Sequence, residues 1–99
     1  MKKEKGTRKD SDQLVSTIEK NPEEEIRVSL REYKGHAFVD IRIYWRRPDG
    51  EPGPTKKGVT FNPEFYPEFK KAILALEETL IKKNLVDRDA IQAARTEER

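Results

Sequence analysis

Ninety-nine residues with no cysteine, 40% charged and 33% apolar, with a formal net charge of +2, favour a single domain. They exclude disulfides, thiol chemistry and thiolate metal sites. No apolar run approaches the roughly 20 residues needed to span a bilayer, and the N-terminus lacks the apolar stretch of a signal peptide. A soluble intracellular protein without membrane contact is therefore expected.

Residues 1–13, MKKEKGTRKDSDQ, are almost wholly polar with mixed charge and read as a flexible tail. Residues 14–20, LVSTIEK, fit both a short strand and a helical turn, because Leu14 and Ile18 suit either period. The strand is the preferred reading, ended by Asn21-Pro22. Glu23, Glu24 and Glu25 read as a solvated connection.

Residues 26–45, IRVSLREYKGHAFVDIRIYW, predict a β-hairpin turning at Lys34-Gly35, since Gly accepts the positive φ that two-residue loops need. Counting outward from Tyr33 opposite His36 pairs Leu30 with Val39, Val28 with Ile41 and Ile26 with Ile43 on one face. Arg31 with Phe38, Ser29 with Asp40, and Arg27 with Arg42 lie on the other. One face is a core wall; the other mixes guanidinium groups with rings, which suits a phosphate backbone carrying exposed bases. By strict alternation Trp45 belongs to the core face. It reaches the Arg42/Tyr44 side only if the strand bulges near its end. Asp40, among Arg31, Arg42 and Ser29, reads as an ion-pair partner.

Pro48, Gly50, Pro52, Gly53 and Pro54 make residues 46–58 an irregular loop, and Lys56 to Phe61 a short final strand. Asn62-Pro63-Glu64 then starts a helix, expected from Pro63 to about Lys83 with Pro67 near its first turn. Phe65, Phe69, Ala72, Ile73, Leu76 and Leu80 form an apolar stripe at helical spacing, wider than a small sheet needs. A homodimer through this helix is expected. The alternative is that residues 85–99, as a short helix capped by Asp87, fold back over the excess. The domain is thus bounded at 14–84, with 85–99 as an extension.

Charge is uneven. Residues 26–60 hold eight basic and four acidic residues, whereas residues 61–84 hold four of each. The positive charge lies in the strands, where a polyanion could use it. Catalytic chemistry is sparse: His36 has no supported Ser/His/Asp or Cys/His partners, the acidic residues are scattered, and there is no phosphate-binding glycine motif. No enzyme activity, metal or cofactor is expected.

Taken together, Arg31-Glu32-Tyr33-Lys34-Gly35, Asp40-Ile41-Arg42-Ile43-Tyr44-Trp45, Pro48-Asp49-Gly50-Glu51, Lys56-Lys57-Gly58-Val59-Thr60 and Asn62-Pro63-Glu64 occur in one order over some fifty residues. In this the sequence resembles the positive cofactor four family of transcriptional coactivators. The resemblance covers about residues 14–83. It implies an α+β fold, a curved antiparallel sheet of about four strands followed by one long helix (ββββα), dimerised through the helices. It implies binding of single-stranded or melted DNA with little sequence preference. Carried over by position, Tyr33 and Trp45 match rings that stack on bases, which favours the bulged placement of Trp45. Arg31, Arg42, Lys56 and Lys57 match basic residues along the DNA backbone, and Lys34 joins them. Glu24, Glu25 and Ile26 stand where eukaryotic members have basic residues, and Gly53 stands where another basic residue falls, so no contacts are carried over there. With no serine-rich stretch of the eukaryotic kind, the sequence is similar to minimal bacterial or viral members. Cytoplasm or nucleoid is expected in a bacterium, and nucleus in a eukaryote. Two other readings stay open: an RNA-binding module on the same surface, and a protein-interaction module that recruits transcription machinery.

Overall fold

The structure, a computed structural model, describes residues 12–97. The expected polar tail lies outside the described residues up to residue 11. Gln13, assigned to that tail, instead opens the first strand.

Four strands, β1 (Gln13–Asn21), β2 (Glu24–Tyr33), β3 (His36–Arg46) and β4 (Pro52–Phe61), form one open antiparallel sheet in the order β1-β2-β3-β4. Lys34 and Gly35 turn the central hairpin with φ of 51° and 81°, the pair of positive angles a type I′ turn demands. The register is the one the turn dictates: Tyr33 opposite His36, Leu30 opposite Val39, Val28 opposite Ile41, Ile26 opposite Ile43 and Arg27 opposite Arg42.

β4 begins earlier than its composition suggests. Residues 52–55 belong to the strand, with Pro52 opposite Arg46 and Pro54 opposite Tyr44. β4 is an edge strand, where a proline can leave its missing N–H on the open side. The loop expected over 46–58 is thus confined to residues 47–51.

Asn62 accepts the Glu64 N–H at 2.9 Å and opens a 3₁₀ turn over Pro63–Phe65 rather than the α-helix expected from Pro63. The α-helix proper, α1 (Tyr66–Lys82), starts one residue before Pro67, which lies in the first turn. Pro67 has no N–H to bond the carbonyl four residues back, and its ring would crowd that carbonyl. α-Helical bonding therefore cannot begin upstream of it. α1 ends in a Schellman motif: Leu85 N–H donates to Leu80 O at 2.9 Å and Asn84 N–H to Ile81 O at 3.0 Å. Asn84 supplies the left-handed residue, with φ 59°. Asp87 accepts the Asp89 N–H at 3.2 Å and caps α2 (Arg88–Glu97), as its sequence predicts.

The chain forms two compact units that divide after Glu64. Among the described residues no apolar side chain is buried; the buried side chains are the carboxylates of Glu25 and Asp40, 6% and 3% exposed. On α1, Ile73, Leu74 and Leu76 remain 45–51% exposed with α2 in place, so α2 does not cover the apolar excess of α1. No helix of the described residues is long and apolar enough to cross a membrane.

Candidate nucleic-acid interface

Alternation along β2 and β3 puts Glu25, Arg27, Ser29, Arg31 and Tyr33 on one face with Phe38, Asp40, Arg42, Tyr44 and Arg46. Arg27 and Arg42 are directly opposed in this ladder, a like-charge pairing that would repel. Each is turned instead to a carboxylate two residues back on its own strand. Arg27 Nε donates to Glu25 Oε2 at 2.6 Å, and Arg42 Nη2 donates to Asp40 Oδ1 at 2.8 Å.

Asp40 is the centre of this face. It takes Arg42, receives the Thr60 hydroxyl of β4 at 2.8 Å, and has Arg31 Nη1 at 4.0 Å. Burial pushes the Asp40 carboxyl up. The Arg42 and Thr60 hydrogen bonds, with the Arg42 and Arg31 charges, outweigh burial and hold it below the usual aspartate range. Arg42 is raised in turn, chiefly by its bond to Asp40. Its guanidinium also reaches across β4, donating to Thr60 Oγ1 and to Thr55 O, both at 3.1 Å. Gly58 stands opposite Arg42. A Cβ there would lie 2.7 Å from Ile41 O and 2.9 Å from Arg42 Cα, so glycine permits this close crossing.

A second cluster surrounds Glu25. Arg27 and, from β3, Arg46 at 3.1 Å bind its two oxygens. The Arg27 bond is the largest influence holding the Glu25 carboxyl below its ordinary range, against the opposing effect of burial. The Arg27 guanidinium lies 4.4 Å from the Tyr44 ring centre, within cation–π range. Between the clusters an open hollow of about 390 Å³ is lined by Asp12, Leu14, Arg27, Ser29, Arg31 and Tyr44.

The residues singled out in the sequence divide. Arg31 and Arg42 are brought together around Asp40, and Arg31 is also 3.5 Å from Asp12. Tyr33, 60% exposed, lies two residues along on the same face, with Lys34 Nζ 5.4 Å from its ring centre. The distortion expected near Arg42–Trp45 is present, but on the β4 side: Arg42 pairs with Gly58 and Tyr44 with Pro54, so Thr55, Lys56 and Lys57 stand against Ile43 alone. Towards β2 the ladder is unbroken through Trp45, which pairs with Glu24. Trp45 therefore keeps the alternation of Ile41 and Ile43, and is 44% exposed. Lys57 lies on that side too, lining a shallow hollow with Ile26, Ile41, Ile43 and Val59. Its charge reaches Glu24, whose carboxyl is held low first by hydrogen bonds from Lys20 and Asn21. Lys56 and Lys57 are exposed and make no ion pair within 4 Å among the described residues. Glu24 and Glu25, read from the sequence as part of a solvated connection, instead open β2, with Glu25 buried. Arg27 and Tyr44 were placed on this face but given no part in binding, and Arg46 was left to the loop. Extending the hairpin count one pair beyond Ile26/Ile43 would have placed Glu25 against Tyr44 and exposed that cluster.

Sheet and site define a small ββββα protein whose polar site, among the described residues, is an open strand face. Residues 20–72 match the family model described as Transcriptional Coactivator p15 (PC4). With more than half of its length matched, the chain belongs to the PC4 family. The RNA polymerase II transcriptional coactivator KELP of Arabidopsis thaliana is 39% identical over 56 residues, 57% of this chain and 33% of that protein. The chain thus matches about a third of that relative's length. The crystal structure of a PC4 homologue from Burkholderia pseudomallei is similar with a TM-score of 0.63 and 29% identity, covering 69% of this chain and 92% of that one. A bacteriophage T5 homologue of the eukaryotic coactivator PC4, described as implicated in recombination-dependent DNA replication, gives a TM-score of 0.61 over 87% of this chain and 96% of that one. At 20% identity that likeness is one of fold.

Proposed function

We propose that the protein binds single-stranded or melted DNA as a homodimer, with little sequence preference, and acts on transcription in the manner its family name describes, or in replication or repair. The observation that carries this reading is the polar strand face. Guanidinium groups held by Asp40 and Glu25 border an open hollow, and an exposed ring and lysine, Tyr33-Lys34, stand at the turn beyond Arg31.

Arg31, Lys34, Lys56 and Lys57 are assigned to phosphates, displacing counterions and making affinity salt-dependent. Tyr33 and Trp45 are assigned to unpaired bases, whose faces duplex DNA hides. Arg42 lines the same face but has each of its nitrogens engaged. Its part is to hold β4 and shape the surface, with its residual positive potential adding to attraction. The dimer is supported by the absence of any buried apolar side chain among the described residues. A chain this small needs a partner to bury enough surface. RNA could occupy the same surface, because stacking tolerates either sugar. Recruitment of transcription machinery is supported by the coactivator name of the plant relative.

The test is a titration of fluorescent single-stranded and duplex oligonucleotides at two salt concentrations, with RNA as competitor. Preference for the single strand and a steep fall in affinity with salt are expected. Equal binding of duplex, or no binding at low salt, would overturn the reading.

A further inference from the structure

The bulge in β4 is held at Thr55. Three residues, Thr55, Lys56 and Lys57, face Ile43 alone, so two residues there lack ladder partners and nothing in regular pairing fixes them. The Thr55 hydroxyl fills that gap. It donates to Ile43 O at 2.8 Å and accepts the Lys57 N–H at 3.2 Å. The Thr55 carbonyl takes Arg42 Nη1 at 3.1 Å. Thr55 is itself half-buried, while Lys56 and Lys57 are exposed.

We propose that Thr55 is a positioning residue for nucleic-acid binding: its hydroxyl fixes the bulge and so sets where Lys56 and Lys57 meet the phosphate backbone. This rests on the function proposed above. Two adjacent lysines on a loose loop would still attract DNA, but they would lose chain entropy on binding. Lysines on a pinned bulge have already lost it. The Arg42 bond ties the same bulge to Asp40.

The experiment compares Thr55→Val, which removes the hydroxyl at nearly constant shape, with Thr55→Ser, which keeps it, and with Lys56→Ala/Lys57→Ala. Each full-length protein is titrated with a fluorescent oligo-dT at several salt concentrations, and the exchange rate of the Lys57 amide is measured without DNA. Thr55→Val is expected to weaken binding about three- to tenfold, the effect of about one hydrogen bond, and to speed Lys57 exchange. Thr55→Ser should restore both. Lys56→Ala/Lys57→Ala should lower the salt slope by between about 1 and 2, since each phosphate left without its lysine removes roughly 0.7–0.9. Wild-type affinity in Thr55→Val, together with weakened binding in the lysine variant, would overturn the inference alone. Faster Lys57 exchange with no change in affinity would do the same. No single-strand binding by the wild type would overturn the functional reading and this inference with it. If Thr55→Val does not fold by circular dichroism, Thr55→Ala takes its place with the same expectations.

Discussion

On the polar face of the sheet, bonding is completed inside one chain; on the opposite face it is not. Asp40 and Glu25 are buried beneath arginines that satisfy their oxygens, and Thr60 and Thr55 carry the network into β4. Across the sheet, Ile26, Val28, Ile41 and Ile43 are only half-buried, and Leu30 and Val59 are exposed. The helical unit has the same character, with Ile73, Leu74 and Leu76 about half-exposed. A buried ion pair contributes little net stability but is costly to break, whereas apolar area is what normally drives folding. The polar face therefore fixes geometry, and in the proposed dimer the apolar surfaces supply the stabilising contacts.

The largest expected effect tests the incomplete side. In the proposed dimer, Ile73→Asp with Leu76→Asp should convert the protein to a monomer by light scattering. It should remove on the order of 6 kcal/mol or more, since each apolar side chain contributes about 1.5–3 kcal/mol on burial and two protomers are affected. Melting of the wild type should rise with protein concentration, as mass action requires of a dimer. A monomeric wild type whose melting ignores concentration would remove the contrast between the two surfaces.

The finished side gives the next largest effect. Asp40→Asn should destabilise by about 2–4 kcal/mol at neutral pH, a buried pair broken on one side and moderated by the partial exposure of Arg42. Acid should act similarly on the wild type. Asp40 and Glu25 both titrate below their ordinary range when folded, so the unfolded chain binds protons first. Their stabilisation is present above the unfolded carboxylate pKa of about 4 and is lost as pH falls from there through the depressed native values. Denaturant midpoints measured from pH 7 to pH 3 should fall for the wild type and fall less for Asp40→Asn. Parallel curves would show that Asp40 is not the centre of the network.

Much of this polar face was legible in the sequence because a hairpin is a local object. Once Lys34-Gly35 supplies the two positive φ angles, every pair from Tyr33/His36 to Arg27/Arg42 follows by counting, and Asp40 among arginines reads as an ion-pair partner. The features that were not legible depend on longer-range or competing terms. β4 starting at Pro52 depends on its being an edge strand, which no local pattern reveals. The late start of α1 depends on Pro67 acting on the carbonyl four residues before it. The side to which Trp45 belongs depends on which of two partner strands absorbs the irregularity; β4 absorbs it, and β2 does not. Lys56 and Lys57 could be named as basic residues, but their placement rests on the Thr55 hydroxyl.

The smallest expected effect concerns the two rings. Tyr33→Ala and Trp45→Ala should each weaken single-strand binding by about 1–3 kcal/mol, the range for one base stacked on one ring. Within a single chain they are far apart. Tyr33 pairs with His36, and Trp45 lies nine residues further along β3, about 30 Å at roughly 3.3 Å per residue. They also differ in alternation, Tyr33 with the arginines and Trp45 with Ile41 and Ile43. Rings so placed in one chain should act independently, and the double variant should lose the sum of the single losses within about 0.5 kcal/mol. A larger coupling would mean that the rings share neighbouring bases. Two sites this distant could do so only if Tyr33 of one protomer approaches Trp45 of its partner across the dimer. The cycle thus reads out whether each chain binds its own strand or the two chains complete one site between them. Affinity unchanged in both single variants would remove stacking from the mechanism and leave only the lysines and arginines.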